Sequence, residues 1–153
     1  EYVYQVIAEQ GAWRIGYELA YHPPQDLPYD LNANRPDELH NILYHFALDP
    51  GFADVMENEK NIPLLTPARI RHAAYFGDIA SAKQQLGEFL DGYAVRTRFP
   101  EAQLLEAEVL MLGGDPRGQN LLNAVPQNMD LPEWVRAEAA LMLENGLPQI
   151  NKP

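Results

Sequence analysis

Pro36, Pro67, Pro100 and Pro132 stand 31, 33 and 32 residues apart, and each begins a stretch of helical periodicity. Proline suits the first helical position, because the N–H it lacks would have no intrahelical partner there. Each therefore predicts a helix start. A beat of roughly 32 residues is the length of one helical hairpin, and repeats in this size range belong to stacked architectures. The expected fold is all-α, built from stacked antiparallel helix pairs.

The intervening residues fit that beat. Leu39, Ile42, Leu43 and Phe46 form one stripe of a helix running from about Pro36 to Leu48, with Asn34 as its expected cap. Asp49-Pro50-Gly51 marks a turn before a short helix over Phe52 to Lys60. Thr66 is placed to cap the helix opened by Pro67, and Asp78 to cap its partner over Ile79 to Tyr93. Further helices are expected over Pro100 to Leu112, after the turn Gly113-Gly114-Asp115-Pro116 and through Val125, and over Pro132 to Glu144. Ahead of the first beat, Val3, Val6, Ile7, Trp13, Tyr17 and Ala20 are spaced closer to three and four than to two. That spacing predicts a helix over Tyr2 to Tyr21, ended by Pro23-Pro24 and followed by an ordered loop to Arg35. The domain organisation read from this is an N-terminal helix and loop over 1–35, packed on a helical-repeat region over 36–153.

The repeat extends beyond the prolines. Phe99-Pro100-Glu101 matches Leu131-Pro132-Glu133, Glu106-Ala107 matches Glu138-Ala139, and Gly114 matches Gly146. Seven residues after each proline stand Leu43, Ala74, Ala107 and Ala139, the last three small enough for neighbouring helices to approach closely. Gly77-Asp78-Ile79-Ala80-Ser81-Ala82 resembles the turn between the two helices of a tetratricopeptide repeat, with alanine four residues past the aspartate. Gly114-Asp115 repeats the pair but carries Gln119 where the alanine belongs. The resemblance covers about residues 67–146. It implies a right-handed stack of helix pairs with a groove for peptides or other proteins, carried over as a fold-level analogy.

Composition narrows the chemistry. Lys plus Arg number 11 against 22 Asp plus Glu, a net charge of −11 that repels a phosphate backbone, so nucleic acid is not an expected partner. No apolar run approaches the length that spans a bilayer, so membrane insertion by this segment is not expected. Absence of cysteine removes thiol catalysis and cysteine-based zinc sites, and leaves the compartment open. The structured-looking opening from Glu1 leads us to expect a soluble domain excised from a longer protein, with room upstream for an anchor or export signal.

No catalytic constellation emerges. Ser81 is the only serine and lies among alanines in a helix, without the Gly-x-Ser-x-Gly turn that exposes a nucleophile. His40 and His45 are five apart, about 140° around a helix, where a shared metal needs a spacing of four. Gly113-Gly114-Asp115-Pro116-Arg117-Gly118 lacks the lysine and hydroxyl of a phosphate-binding loop. Neither a cofactor nor a metal is expected.

The excess that calls for a role is aromatic. Residues four and eight after each proline are one turn apart and project alike. Here they are His40 and Tyr44, Arg71 and Tyr75, Leu104 and Glu108, then Arg136 and Ala140. Adjacent repeats would align them into a strip of residue types enriched at binding hot spots. The expected function is a non-catalytic helical-repeat module binding a protein or peptide along His40, Tyr44, Arg71, Tyr75, Leu104, Glu108 and Arg136. The alternative is an enzymatic or small-molecule-binding domain whose pocket is closed by residues 1–35.

Overall fold

The computed structural model describes the backbone of residues 3–9, 12–18, 29–58, 62–92 and 94–150, and side chains over the same residues from 37 onward. It opens on a β-hairpin: β1 (Val3–Glu9) pairs antiparallel with β2 (Ala12–Glu18), from Val3↔Glu18 to Glu9↔Ala12. The helix expected over Tyr2 to Tyr21 is corrected by this. Val3, Tyr4, Val6, Ile7, Trp13, Ile15 and Tyr17 are β-branched or aromatic, types that suit a pleated surface. The register leaves Gln10-Gly11 as a two-residue spacer, a hairpin signal that outweighs an irregular three-and-four spacing.

From Tyr29 onward the described chain is helical. The α-helices are α1 (Tyr29–Phe46), α2 (Phe52–Asn58), α3 (Thr66–Phe76), α4 (Ile79–Leu90), α5 (Val95–Arg98), α6 (Ala102–Leu112), α7 (Arg117–Ala124) and α8 (Glu133–Asn145). Short 3-10 turns over Pro63–Leu65 and Val125–Gln127 lead into α3 and out of α7. Among the described residues no helix is long and apolar enough to cross a membrane.

Three of the four prolines open helices as the beat requires. Pro67 is in the first turn of α3, Pro132 is the residue before α8, and Pro100 stands two before α6. Pro36 departs from it and lies inside α1, so residues read as loop from 29 to 35 are helical. Asn34, expected to cap a helix at Pro36, lies inside α1 instead, because the helix already begins at Tyr29. The proline then costs α1 one internal hydrogen bond, to the carbonyl of Asn32. Thr66 also does not cap: Leu65 holds that place, with no side-chain bond.

Two tight turns pair the helices, one before α4 and one before α7. Asp78 accepts from the amides of Ala80 at 2.9 Å and Ser81 at 3.3 Å, and Ala82 is fully buried. The second turn solves the same packing problem one residue earlier. Gly118, not residue 119, is the close-approach point, since a Cβ there would fall 2.7 Å from the carbonyl oxygen of Ala107 and the amide of Met111. Gly114 sits in the left-handed region at φ 71°, which the turn into α7 requires. Short connections thus fold α4 back on α3 and α7 back on α6.

One large apolar core joins α3, α4, α6, α7 and α8, with Leu104, Leu105, Val109, Leu122, Val125, Val135 and Ala139 all at 0% exposure. Ala107 is equally buried, while Ala74 is only half-buried at the edge. A second cluster of Leu43, Ala47, Phe52, Val55, Leu65 and Ala68 ties α1 and α2 to the start of α3.

Candidate functional site

α1 is set down across three helices at once. Hydrogen bonds link its side chains to α6 and α8, and α3 reaches its carbonyls. At the centre is Glu108 of α6, wholly buried, facing Arg71 of α3, also wholly buried. The Nε and Nη2 of Arg71 donate to the Glu108 carboxylate at 2.9 and 2.8 Å, a two-point geometry that suits a guanidinium and a carboxylate. Its Nη1 donates to the Tyr44 carbonyl at 2.6 Å, supplying one of the acceptors left over at the end of α1. Tyr75 donates to Glu108 Oε1 at 2.6 Å and Tyr44 donates to Oε2. The guanidinium also lies 3.7 Å from the centre of the Tyr44 ring.

Every nitrogen and oxygen of that charge pair thus has a partner, the condition under which burying two charges is tolerated. Burial and the neighbouring carboxylate push both tyrosine hydroxyls well above their ordinary range. Arg71 is held above its ordinary value by Glu108 and Tyr44 against the opposing effect of burial. This knot of side chains is neutral as a whole and buried, so it presents no face to a ligand.

Further along α1, His72 of α3 donates from Nδ1 to the Ala47 carbonyl at 2.8 Å while stacking on Phe76. His45 meets Glu138 of α8 at 3.2 Å. That bond raises the His45 pKa, and lowers that of Glu138. Tyr44 packs on Trp134 of α8 at 5.8 Å between ring centres. Trp134 Nε1 and Asn41 Oδ1 are buried without a hydrogen-bond partner, so the seam of α1 on α8 is polar and incompletely matched.

The space left open lies at the other end of this arrangement. A cleft of about 600 Å³ is bounded by Asp37 and His40 of α1, Arg96, Thr97 and Arg98 of α5, Pro100 and Gln103 at the start of α6, and Asn128, Asp130, Leu131 and Pro132 before α8. His40 is 6% exposed and its Nδ1 meets Glu101 Oε1 at 2.8 Å. A carboxylate only accepts, so Nδ1 carries the hydrogen, and in the neutral form of the ring the lone pair then lies at Nε2. Among the described residues Nε2 has no hydrogen-bond partner. Glu101 is 2% exposed, and its second oxygen is likewise unpaired. Arg96 is held by Glu106 at 2.7 Å, whereas Arg98 lies only against the Phe99 ring, at 6.0 Å.

The expected strip therefore needs correction in one respect. His40, Tyr44, Arg71, Tyr75, Leu104 and Glu108 do lie on facing surfaces, but all are buried, and Arg136 alone is half-buried. Their mutual complementarity is the reason. An aromatic and basic surface at one end met a carboxylate at the other, and the chain closed on itself. Of these residues His40 alone reaches the cleft. Asp37, Thr97, Glu101, Gln103, Asn128 and Asp130 were not anticipated. In the sequence Glu101 figures only as part of the repeat match Phe99-Pro100-Glu101, and the seating of α1 brings it to His40.

Among the described residues no group of three His, Asp or Glu side chains could hold a metal. Ser81 sits exposed on α4, its hydroxyl accepting from Gln85 at 3.0 Å. The chain matches no family model, no curated protein and no solved structure.

Proposed function

We propose that the chain is a non-catalytic helical-repeat module, of the tetratricopeptide kind over α3 to α8, that binds a peptide segment of a protein partner. The observation that carries this reading is the cleft beside His40. It gathers Asp37, Thr97, Arg98, Gln103 and Asp130, whose side chains have no hydrogen-bond or ion-pair partner among the described residues, where two proline-led helices begin; Asn128 beside them accepts from the Asp130 amide at 3.1 Å. Interaction modules read partners through polar groups held on rigid elements. On this reading α1 covers the stretch of inner surface where a repeat stack would seat a ligand, and the partner engages the part it leaves uncovered.

A second reading, a small-molecule-binding domain, is favoured by size alone: about 600 Å³ falls inside the range of ligand pockets. Photo-crosslinking separates the two. A photoreactive residue at position 97, on the cleft, should trap a polypeptide from native extract, and the same residue at position 85, on α4, should not. Equal trapping from both positions, or a low-mass ligand co-purifying in native mass spectrometry with no polypeptide trapped, would refute the module.

A further inference from the structure

We infer that the cleft takes the cationic side chain of the partner, a primary ammonium or a guanidinium, in an inference that rests on the module reading above. Four observations converge on a positive ligand. His40, at 6% exposure, spends Nδ1–H on Glu101 and leaves Nε2 without a partner among the described residues. In the neutral form of the ring that nitrogen carries the lone pair and accepts from a donor. Asp37 stands one turn before His40 on the same face of α1, and Asp130 lies on the wall before α8; neither carboxylate has a partner among the described residues.

Beneath the ring, Glu101 keeps one oxygen unpaired at 2% exposure, so its charge is only half compensated by hydrogen bonding. Finally, of the two arginines on the cleft, Arg96 is neutralised by Glu106 at 2.7 Å. Arg98 alone opposes a cation, and it is exposed, with its guanidinium against Phe99. The unpaired charges lining the cleft are thus Asp37 and Asp130 against Arg98, with Glu101 buried behind His40. The chain as a whole carries −11, which steers a basic segment toward it and away from an anionic one.

Thr97, Gln103 and Asn128 complete the lining with neutral groups. They suit the backbone amides that flank a basic side chain in a peptide. Arg98, at the rim, then meets an acidic neighbour in the partner. The ligand the cleft fits is a basic residue in an extended peptide, entering between the starts of α6 and α8.

The test uses the intact chain with capped lysine, capped arginine and capped glutamate as separate probes, followed by NMR on the His40 ring carbons near neutral pH. Lysine, arginine or both should shift the His40 signals saturably, and the probe that does so distinguishes ammonium from guanidinium. Glutamate should leave them in place. D37N/D130N should weaken binding about tenfold, near 1.4 kcal/mol, while its melting temperature reports that it still folds. R98Q should tighten binding of the cationic probe. Binding of glutamate alone, lost in R98Q, would overturn the inference in favour of an anion pocket. No shift from any probe would overturn it outright. A polypeptide still trapped from position 97 in that case would show the module reading surviving without it.

Discussion

Replacing Glu108 by alanine leaves Arg71 as a charge with 0% exposure and no counterion. It also leaves the hydroxyls of Tyr44 and Tyr75 without their acceptor. Breaking a buried ion pair by removing one partner typically costs about 3–5 kcal/mol. Each orphaned hydroxyl adds up to about 1–3 kcal/mol, less whatever repacking recovers. Domains hold only about 5–15 kcal/mol in total, so E108A should consume a large share and lower the melting temperature by roughly 10–20 °C. The informative comparison is E108L/R71M with Y44F and Y75F, which removes all four polar groups together. It should recover most of the loss, because an apolar replacement of similar volume carries no uncompensated charge. Guanidinium denaturation of wild type, E108A and the four-fold variant measures both. A loss below about 1 kcal/mol in E108A would mean that solvent reaches the pair and that α1 is not seated as described.

The His45–Glu138 pair gives a pH signature: His45 is raised from its ordinary 6.5, so its contribution is complete below that value and fades as pH rises through the folded value. Glu138 is lowered from 4.5, so the acid-side contribution holds above that value and fades as pH falls through the folded one. Stability should carry a shallow maximum between, worth under about 1 kcal/mol because the His45 side chain is 51% exposed, and H45Q should flatten it in urea titrations across pH. Ala94 takes a left-handed backbone at φ 54°, so A94G should raise the urea midpoint slightly, by up to about 1 kcal/mol, as strain relief outweighs added chain entropy. G118A should cost about 1–3 kcal/mol in the same assay, since its new methyl would press on the backbone of α6. A107L should cost a similar amount by overpacking a fully buried position against α7.

What could be read from the chain was periodic and local. The proline beat located α3, α6 and α8, and the Gly-Asp turns located the partners α4 and α7, because each signal acts within one turn of helix. Of the positions four and eight after each proline, Tyr44, Arg71, Tyr75 and Glu108 meet one another. Their burial was not legible, since it depends on where α1 goes, and nothing in residues 29–46 states that α1 lies across α6 and α8. The hairpin was missed for a related reason. Its apolar residues fit neither period cleanly, and the two-residue spacer with a glycine was the stronger signal.

The seating of α1 also explains why the candidate site is polar. An α1 held only by Leu43, Ala47 and their neighbours could slide along α3, because apolar contacts carry little directional information. The Arg71 fork, the two tyrosine hydroxyls and the His72 bond to Ala47 each demand one position within a fraction of a hydrogen-bond length. Buried polar groups of this sort contribute little net stability but can select one register among several. Once that register is set, His40 meets Glu101, the residue before α6, through Nδ1, and His40 lines the cleft. The knot and the cleft are therefore one device. The charge pair in the core fixes the helix whose first described side chains, Asp37 and His40, form the wall of the site.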